Sequence, residues 1–270
     1  MIIDKAITFL ISHFGDQWHD IIIEDARIGL YLTAVRLSDG SAGVATTLHD
    51  TEKVCKKENR RFGEFSPLHI KGRKVADMFA ATQGNHLMES LRLATLNALS
   101  SGRLRNGNHS LHRNTDPIDL LDLDGNKHIL IVGAFQSYIR KILQTRNRLK
   151  VVELDRDALT SGQQHLFVPA KDAHLVIPQA DIVMLTGMTL VNNTLDGLLE
   201  LITDKQQVVV TGPSSSIVPD VLFASKVNII GATLITDADI LMELVSEAGA
   251  GYHLFRHCAE KVSIVKAIPA

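Results

Sequence analysis

Cysteine is scarce. Cys55 and Cys258 are the only two in 270 residues, which rules out a disulfide framework and points to a reducing, cytoplasmic setting. Net charge is nearly absent too. The balance of 28 basic and 30 acidic residues leaves a formal -2, which argues against a surface built for a polyanion such as nucleic acid. Lys53, Lys56, Lys57, Arg60 and Arg61 cluster but are interrupted by Glu52 and Glu58, so they read as a solvated face. No stretch reaches the roughly 18 consecutive apolar residues of a membrane span. The opening Met1-Ile2-Ile3-Asp4-Lys5 lacks the basic-then-apolar order of a secretory signal. Also missing are HExxH, CxxC, GxSxG and GxGxxG, so none of the corresponding zinc, redox, serine-hydrolase or dinucleotide signatures is complete. Hydrophobic residues make up 45% and charged residues 21%, enough for a globular chain with a substantial core.

What is present is a set of apolar runs that stop at small, glycine-bearing loops. Ile129–Val132 precedes Gly133-Ala134-Phe135. Asp181–Leu185 precedes Thr186-Gly187-Met188-Thr189. Gln207–Val210 precedes Thr211-Gly212-Pro213-Ser214-Ser215-Ser216. Such runs read as buried parallel strands, and open α/β sheets bind ligands outside the carboxyl ends of their strands. Hydroxyls and free amides on several such loops predict a site for a small polar or anionic ligand.

The chain divides into two rhythms. The first begins with a helical stripe at Ile3, Ile7, Leu10, Ile11 and Phe14. Strands follow near 20–24, 28–37 and 41–48, the last two joined through Ser38-Asp39-Gly40, a hairpin signal. After a charged excursion over 49–66 come two helices, 74–82 and 86–100, with a break at Gly84-Asn85. The second helix is apolar nearly all round apart from Ser90 and Asn97, the mark of a buried helix. Residues 101–116 are polar and lack apolar periodicity, so they read as a linker between a first domain, 1–100, and a second, 117–270. The second alternates strands near 128–132, 149–154, 181–185, 207–210 and 227–230 with helices near 136–145, 194–203, 217–224 and 237–248. That alternation predicts an α/β domain with a parallel sheet. Pro169 and Pro178 make the crossover over 155–180 irregular.

Candidate site residues lie at the strand ends. Gly133 closes the first strand of the α/β unit and Glu153 the second, about 20 residues on, the spacing of a ribose-binding acid. Glu153 is also the leading general-base candidate, with Asp155 and Asp181 as further carboxylates. Either Gly133 lets a ligand approach the backbone, or it makes only a tight turn while Glu153 pairs at the strand end. Thr186 through Thr194 is the densest polar stretch. Thr189, Asn192 and Asn193 offer hydroxyls and amides, and one of Asn192, Asn193 and Thr194 must cap the next helix. Gly212, Pro213, Ser214 and Ser215 read either as an anion nest or as a capped turn. Asn97, a polar group on a buried helix, either bonds backbone across a domain interface or faces a ligand. His253 and His257 would share a helix face beside Cys258, but no third metal ligand is near in sequence.

These stretches resemble a bacterial and archaeal family of putative heavy-metal chelation proteins. The resemblance rests on Ile131-Val132-Gly133-Ala134-Phe135, Val152-Glu153, Ala180–Val183 through Thr186–Thr194, Gly212-Pro213-Ser214 and Leu93–Ala98, and it spans essentially the whole chain. It implies an enolase N-terminal-like α+β domain ahead of a Rossmann-like domain, with the site between them. It also implies a role in heavy-metal chelation through a siderophore-, pterin- or flavin-like molecule, and leaves open whether the protein is an enzyme. Asn193 stands where glycine is expected, and asparagine tolerates the left-handed backbone.

The expectation is a protein that binds a small-molecule ligand through Asn97, Gly133, Phe135, Thr186, Gly187, Thr189, Asn192, Gly212, Pro213, Ser214 and Ser215, with Glu153 as the candidate catalytic group. A transition metal or its chelate is the favoured cofactor, S-adenosylmethionine the weaker one. Nucleic acid and membrane are not expected partners, and a homodimer is left open. The alternatives are an S-adenosylmethionine-dependent methyltransferase-like enzyme and a non-catalytic transition-metal carrier.

Overall fold

The computed structural model describes residues 1–49, 65–80, 85–107 and 109–267. The helices are α1 (Ile2–Phe14), α2 (Val75–Ala80), α3 (His86–Asn106), α4 (Gln136–Ile142), α5 (Ala173–Val176), α6 (Met188–Val191), α7 (Leu195–Glu200), α8 (Pro219–Phe223), α9 (Ala238–Ser246) and α10 (Gly251–His257). The strands are β1 (Ile23–Ile28), β2 (Leu32–Leu37), β3 (Ala42–Thr46), β4 (Ser110–Arg113), β5 (His128–Val132), β6 (Arg148–Glu153), β7 (Phe167–Pro169), β8 (Ile182–Thr186), β9 (Gln207–Thr211), β10 (Ile229–Ile235) and β11 (Ala259–Val265). The chain is mixed α/β, with a three-stranded antiparallel sheet β1-β2-β3 and an eight-stranded sheet ordered β4-β11-β10-β9-β8-β5-β6-β7.

In the large sheet β7, β6, β5, β8, β9 and β10 run parallel, while β11 and β4 close one edge antiparallel. The strand order reverses between β5 and β8. That places the carboxyl ends of β5, β6 and β8 around a topological switch point, where open α/β sheets hold ligands. Both faces are covered, and the strands show it. Ile129 and Ile131 join the core with α4, while Leu130 and Val132 join the core shared with α3.

The small sheet is also buried on both faces. On β2, Val35 and Leu37 belong to the core built around α3, whereas Leu32 and Ala34 pack with Leu241, Met242 and Val245 of α9. The run Ile28–Leu37, mostly apolar apart from Thr33 and Arg36, therefore reads as one strand and hides a turn. Gly29 N–H donates to the Leu32 carbonyl at 2.9 Å, so the expected long strand is instead the end of β1, a tight turn and β2. α9 fits here closely, since a Cβ on Gly29 would lie 2.3 Å from the Val245 carbonyl oxygen. The hairpin expected at Ser38-Asp39-Gly40 does form between β2 and β3, with Gly40 N–H donating to Leu37 O at 2.9 Å.

Helix α3 is central, with Leu91, Leu93, Ala94, Leu96 and Ala98 buried against β2 and β3 and toward the large sheet. Each leucine so buried contributes roughly 1.5–3 kcal/mol. Its polar residues bond to backbone: Ser90 Oγ accepts from Leu48 N–H at 2.9 Å and donates to His86 O at 3.0 Å. Asn85 caps the helix by accepting Met88 N–H at 3.0 Å.

The segment 101–116, expected to be a linker, is largely ordered secondary structure. Residues 101–106 continue α3 with Leu104 buried, and 110–113 form β4 against β11. Its polar composition reflects this exposed edge strand and a helix end tied by Arg103, which donates from Nη2 to both Asp220 oxygens at 3.1 Å. Three further departures follow from sequence context. The α1 stripe is rotated, burying Ile2, Ala6 and Leu10 and leaving Ile11 exposed. The strand expected to end at 230 runs on to Ile235. β11 had no sequence-based expectation, whereas α10 carries the helix face expected for His253 and His257. The charged excursion falls mostly on 50–64, outside the described residues, as do Cys55 and Gly84.

Candidate functional site

A cavity of about 330 Å³ opens over the carboxyl ends of β5, β6 and β8. Val132, Phe135, Val152, Leu154, Ala170 and Leu198 give it apolar walls, and Glu153, Thr186, Thr189, Asn192 and Thr194 supply its polar side chains. Of the residues singled out from sequence, Gly133, Phe135, Glu153, Thr186, Thr189 and Asn192 meet here. Ala134, Met188 and Thr194 line it from within the same loops, whereas Leu154, Ala170 and Leu198 were not anticipated. Ala170 follows the three-residue β7, for which the sequence carried no strand signal, and Leu154 is an apolar residue left 80% exposed beside the acid.

Gly133 holds a positive φ of +100°, and a Cβ there would sit 3.0 Å from the Thr186 side chain. Glycine thus allows the turn and keeps β5 and β8 close at the cavity floor. The loop's amides are all engaged. Gly133 N–H donates to Val152 O at 2.9 Å, and Phe135 N–H to Gly133 O at 3.0 Å. Ala134 N–H donates to Glu153 Oε2 at 2.9 Å. The other oxygen, Oε1, accepts Leu154 N–H at 2.7 Å. The half-buried Glu153 carboxylate therefore occupies the place where the loop's amide would meet an anion. It bridges the β5 and β6 ends, so pairing at the strand end is part of its role.

Behind it, Phe135 stacks on Tyr138 with ring centroids 5.3 Å apart. Burial, reinforced by a hydrogen bond to Asp116 and that carboxylate's charge, raises the Tyr138 phenol far above its ordinary value. The phenol stays a neutral donor.

On the β8 side, Thr189 is buried and its Oγ1 donates to Thr186 O at 2.6 Å. Gly187 N–H donates to Thr211 O at 2.7 Å. Asn192 Oδ1 accepts from Thr194 Oγ1 at 2.7 Å, which orders the entry to α7. Asn193 takes the left-handed backbone, φ 58°, as its place in a glycine-like position predicts.

The third loop does not line this cavity. Ser214 Oγ accepts Thr46 N–H at 2.8 Å and donates to Thr46 Oγ1 at 3.1 Å. Ser215 Oγ donates to Gly212 O and Gly231 O, and Ser216 Oγ pairs with Thr233. Pro213 lies against Gly251. Asn97, 2% exposed, donates from Nδ2 to Val44 O at 2.8 Å and Ser214 O at 3.3 Å. Of the two readings of Asn97, the geometry takes the first: a backbone clamp across the two sheets. Gly187 belongs to the same seam, since a Cβ on it would lie 2.9 Å from Ser215 N. Asn97, Gly187, Gly212, Pro213, Ser214 and Ser215 are thus placed at a seam between the sheets. The anion-nest expectation fails because their donors point into the protein.

Asp155 caps a short turn by accepting Asp157 N–H at 2.9 Å. Asp181 precedes β8 and accepts His128 N–H at 2.7 Å, so it sits at the opposite, amino end of the strands. His253 and His257 do share α10, facing a separate cavity of about 320 Å³ with Glu243 and Glu247. Among the described residues no three His, Cys, Asp or Glu side chains converge where they could hold a metal ion. Cys258 is buried, which together with Asp237 pushes its thiol up to about 11, away from the thiolate that binds metals. Among the described residues no helix is long and apolar enough to cross a membrane.

A family model described as "Putative heavy-metal chelation" matches residues 116–264, and a second model with the same description matches 11–100. A protein of unknown function from the first of these families in Pyrococcus horikoshii shares the fold. Its structure superposes with a TM-score of 0.77 at 20% identity, covering 98% of this chain and 100% of that one. A second, from Desulfitobacterium hafniense, superposes with a TM-score of 0.70 at 18% identity, covering 97% and 100%. No curated protein matches the sequence.

Proposed function

The chain belongs to the putative heavy-metal chelation family, and from that premise we propose that it binds a small organic chelator, siderophore-, pterin- or flavin-like, or the metal complex of one. The binding place in this reading is the cavity over β5, β6 and β8, supplied by the large sheet. The observation that carries it is the lining. Apolar walls of Phe135, Leu154, Val132 and Leu198 surround one carboxylate and a few neutral hydroxyls and amides, in a volume within the range of small-molecule sites. That donor set suits an organic molecule. A bare ion would need several converging anionic or imidazole ligands, and among the described residues the lining offers only Glu153. In this reading the organic ligand, rather than the protein, supplies the metal's donor atoms. Phe135 and Leu154 pack on the ligand, and Thr186, Thr189 and Asn192 orient it.

The test is a thermal-shift and calorimetric screen of siderophores, pterins and flavins, each with and without iron, nickel, cobalt or zinc. Saturable binding by one class, weakened at least tenfold by Phe135→Ala, supports the reading. A flat response across all classes sinks it. S-adenosylmethionine belongs in the screen because Glu153 lies at the ribose-acid position. The carrier alternative predicts instead a stoichiometric metal that survives gel filtration without any organic ligand.

A further inference from the structure

We infer that the cavity selects the uncharged, metal-free form of its ligand, gripping it through two adjacent hydrogen-bond donors on a flat ring. This rests on the cavity being the binding site, as proposed above, and adds the ligand's charge and protonation. The glycine-bearing turns after β5 and β8, which could receive an anion, engage their first amides within the protein. Gly133, Ala134, Phe135 and Gly187 donate to Val152, Glu153, Gly133 and Thr211 respectively, and Met188 N–H leans on Thr186 Oγ1 at 3.3 Å. Among the described residues no lysine or arginine lines the cavity. An anionic group there would face the Glu153 carboxylate with no cationic side chain among the described lining residues to balance it, and like charges brought together out of water oppose binding.

The same carboxylate is well prepared for a donor. Each oxygen is fixed by one backbone N–H, at 2.9 and 2.7 Å, which leaves acceptor capacity on both oxygens of a pre-oriented, planar group. Two side-by-side donors match it: the vicinal hydroxyls of a catechol, or the amino and ring N–H edge of a pterin. Leu154 and Phe135, adjacent to the two amides that fix the acid, give the ring apolar surface. Chelation abolishes the match for a catechol. When it binds a ferric ion, both hydroxyl protons leave to solvent, and the oxygens become coordinated, negatively charged acceptors. The site would then meet acceptor with acceptor. A protein so built receives the ligand before the metal does, or after the metal has gone.

The experiment is isothermal titration of the full chain with catechol and with 6-methylpterin, each against a charged counterpart, preformed ferric tris-catecholate and pterin-6-carboxylate. Phenol serves as a single-donor control. The expected result is saturable binding of at least one neutral probe, at least tenfold tighter than its charged counterpart and than phenol where catechol is the binder. Which of the two binds identifies the source of the paired donors. Glu153→Gln should remove most of that preference. Leu154→Ser, at a largely exposed position, should weaken the neutral probe several-fold without disturbing the fold, so the assignment does not hang on one variant. Ferric catecholate or pterin-6-carboxylate binding as well as or better than its neutral form would overturn the inference while leaving the cavity as the site. Binding by none of the four overturns the inference, and the wider screen then decides whether the cavity reading falls with it.

Discussion

Two loops that look alike in sequence end up doing opposite things. Thr186–Thr194 after β8 and Gly212–Ser216 after β9 both follow buried parallel strands, both contain a glycine, and both are rich in hydroxyls. The first turns polar side chains toward a cavity, while the second turns every serine hydroxyl onto backbone or onto Thr46 of the small sheet. The difference lies in what stands opposite. β3 and α3 press against the loop after β9, and its buried serine hydroxyls pair within the protein. Opposite the β8 loop stands the open end of β6. Residue type alone does not separate a ligand loop from a structural seam; the neighbouring element does.

The strongest way to break the contrast is at Gly187, which touches both loops. Gly187→Val would drive a side chain into Ser215 N and is expected to destabilise the protein by about 3 kcal/mol, read as a lower urea midpoint, and to alter cavity binding as well. Next comes Asn97→Leu. It removes the clamp on the Val44 and Ser214 carbonyls and should lower stability by about 2 kcal/mol, with ligand affinity in the surviving folded protein unchanged. Ser214→Ala strands Thr46 N–H and should cost about 1 kcal/mol, again with binding intact. A loss of affinity without a loss of stability in either seam variant would mean that the seam is part of the site.

The smallest effect is at alkaline pH and belongs to the cavity side. Burial and Asp116 raise the folded-state phenol of Tyr138 above its ordinary 10.0. Its contribution is therefore complete below that value and is lost as pH climbs beyond it, when the unfolded chain ionises and the folded one does not. Cys258, raised from 9.0 to about 11, adds a similar slope, so the difference between wild type and Tyr138→Phe isolates the tyrosine. The wild-type protein should lose stability faster than Tyr138→Phe above pH 10. Equal slopes would show that the phenol is not held neutral behind Phe135.

Much of this could be read from the chain. Alternating strand and helix signals located β5, β6, β8 and β9, and the glycine at 133 marked the cavity floor. Three kinds of feature were not legible. A strand buried on both faces gives no alternation, so the turn at Gly29 disappeared into an apolar run. A polar edge strand such as β4 resembles a linker, because half its backbone and most of its side chains face water. The direction of a loop's amides also has no sequence signature. Glu153 and Ala134 are 19 residues apart, and only the parallel pairing of β5 with β6 brings the acid onto the amide.

Gly187 also sets a tolerance. One face of its backbone belongs to the cavity's β8 loop and the other rests on Ser214, bolted to Thr46 and Asn97, and on Ser215, bolted to the Gly212 and Gly231 carbonyls. No soft layer separates them. An error in how the small sheet seats on the large one passes through a single glycine and reappears as a change in the cavity's shape. Fitting a new ligand by reshaping that wall therefore means re-machining the joint between the sheets, whereas the far wall at Leu154 and Ala170 can be altered residue by residue.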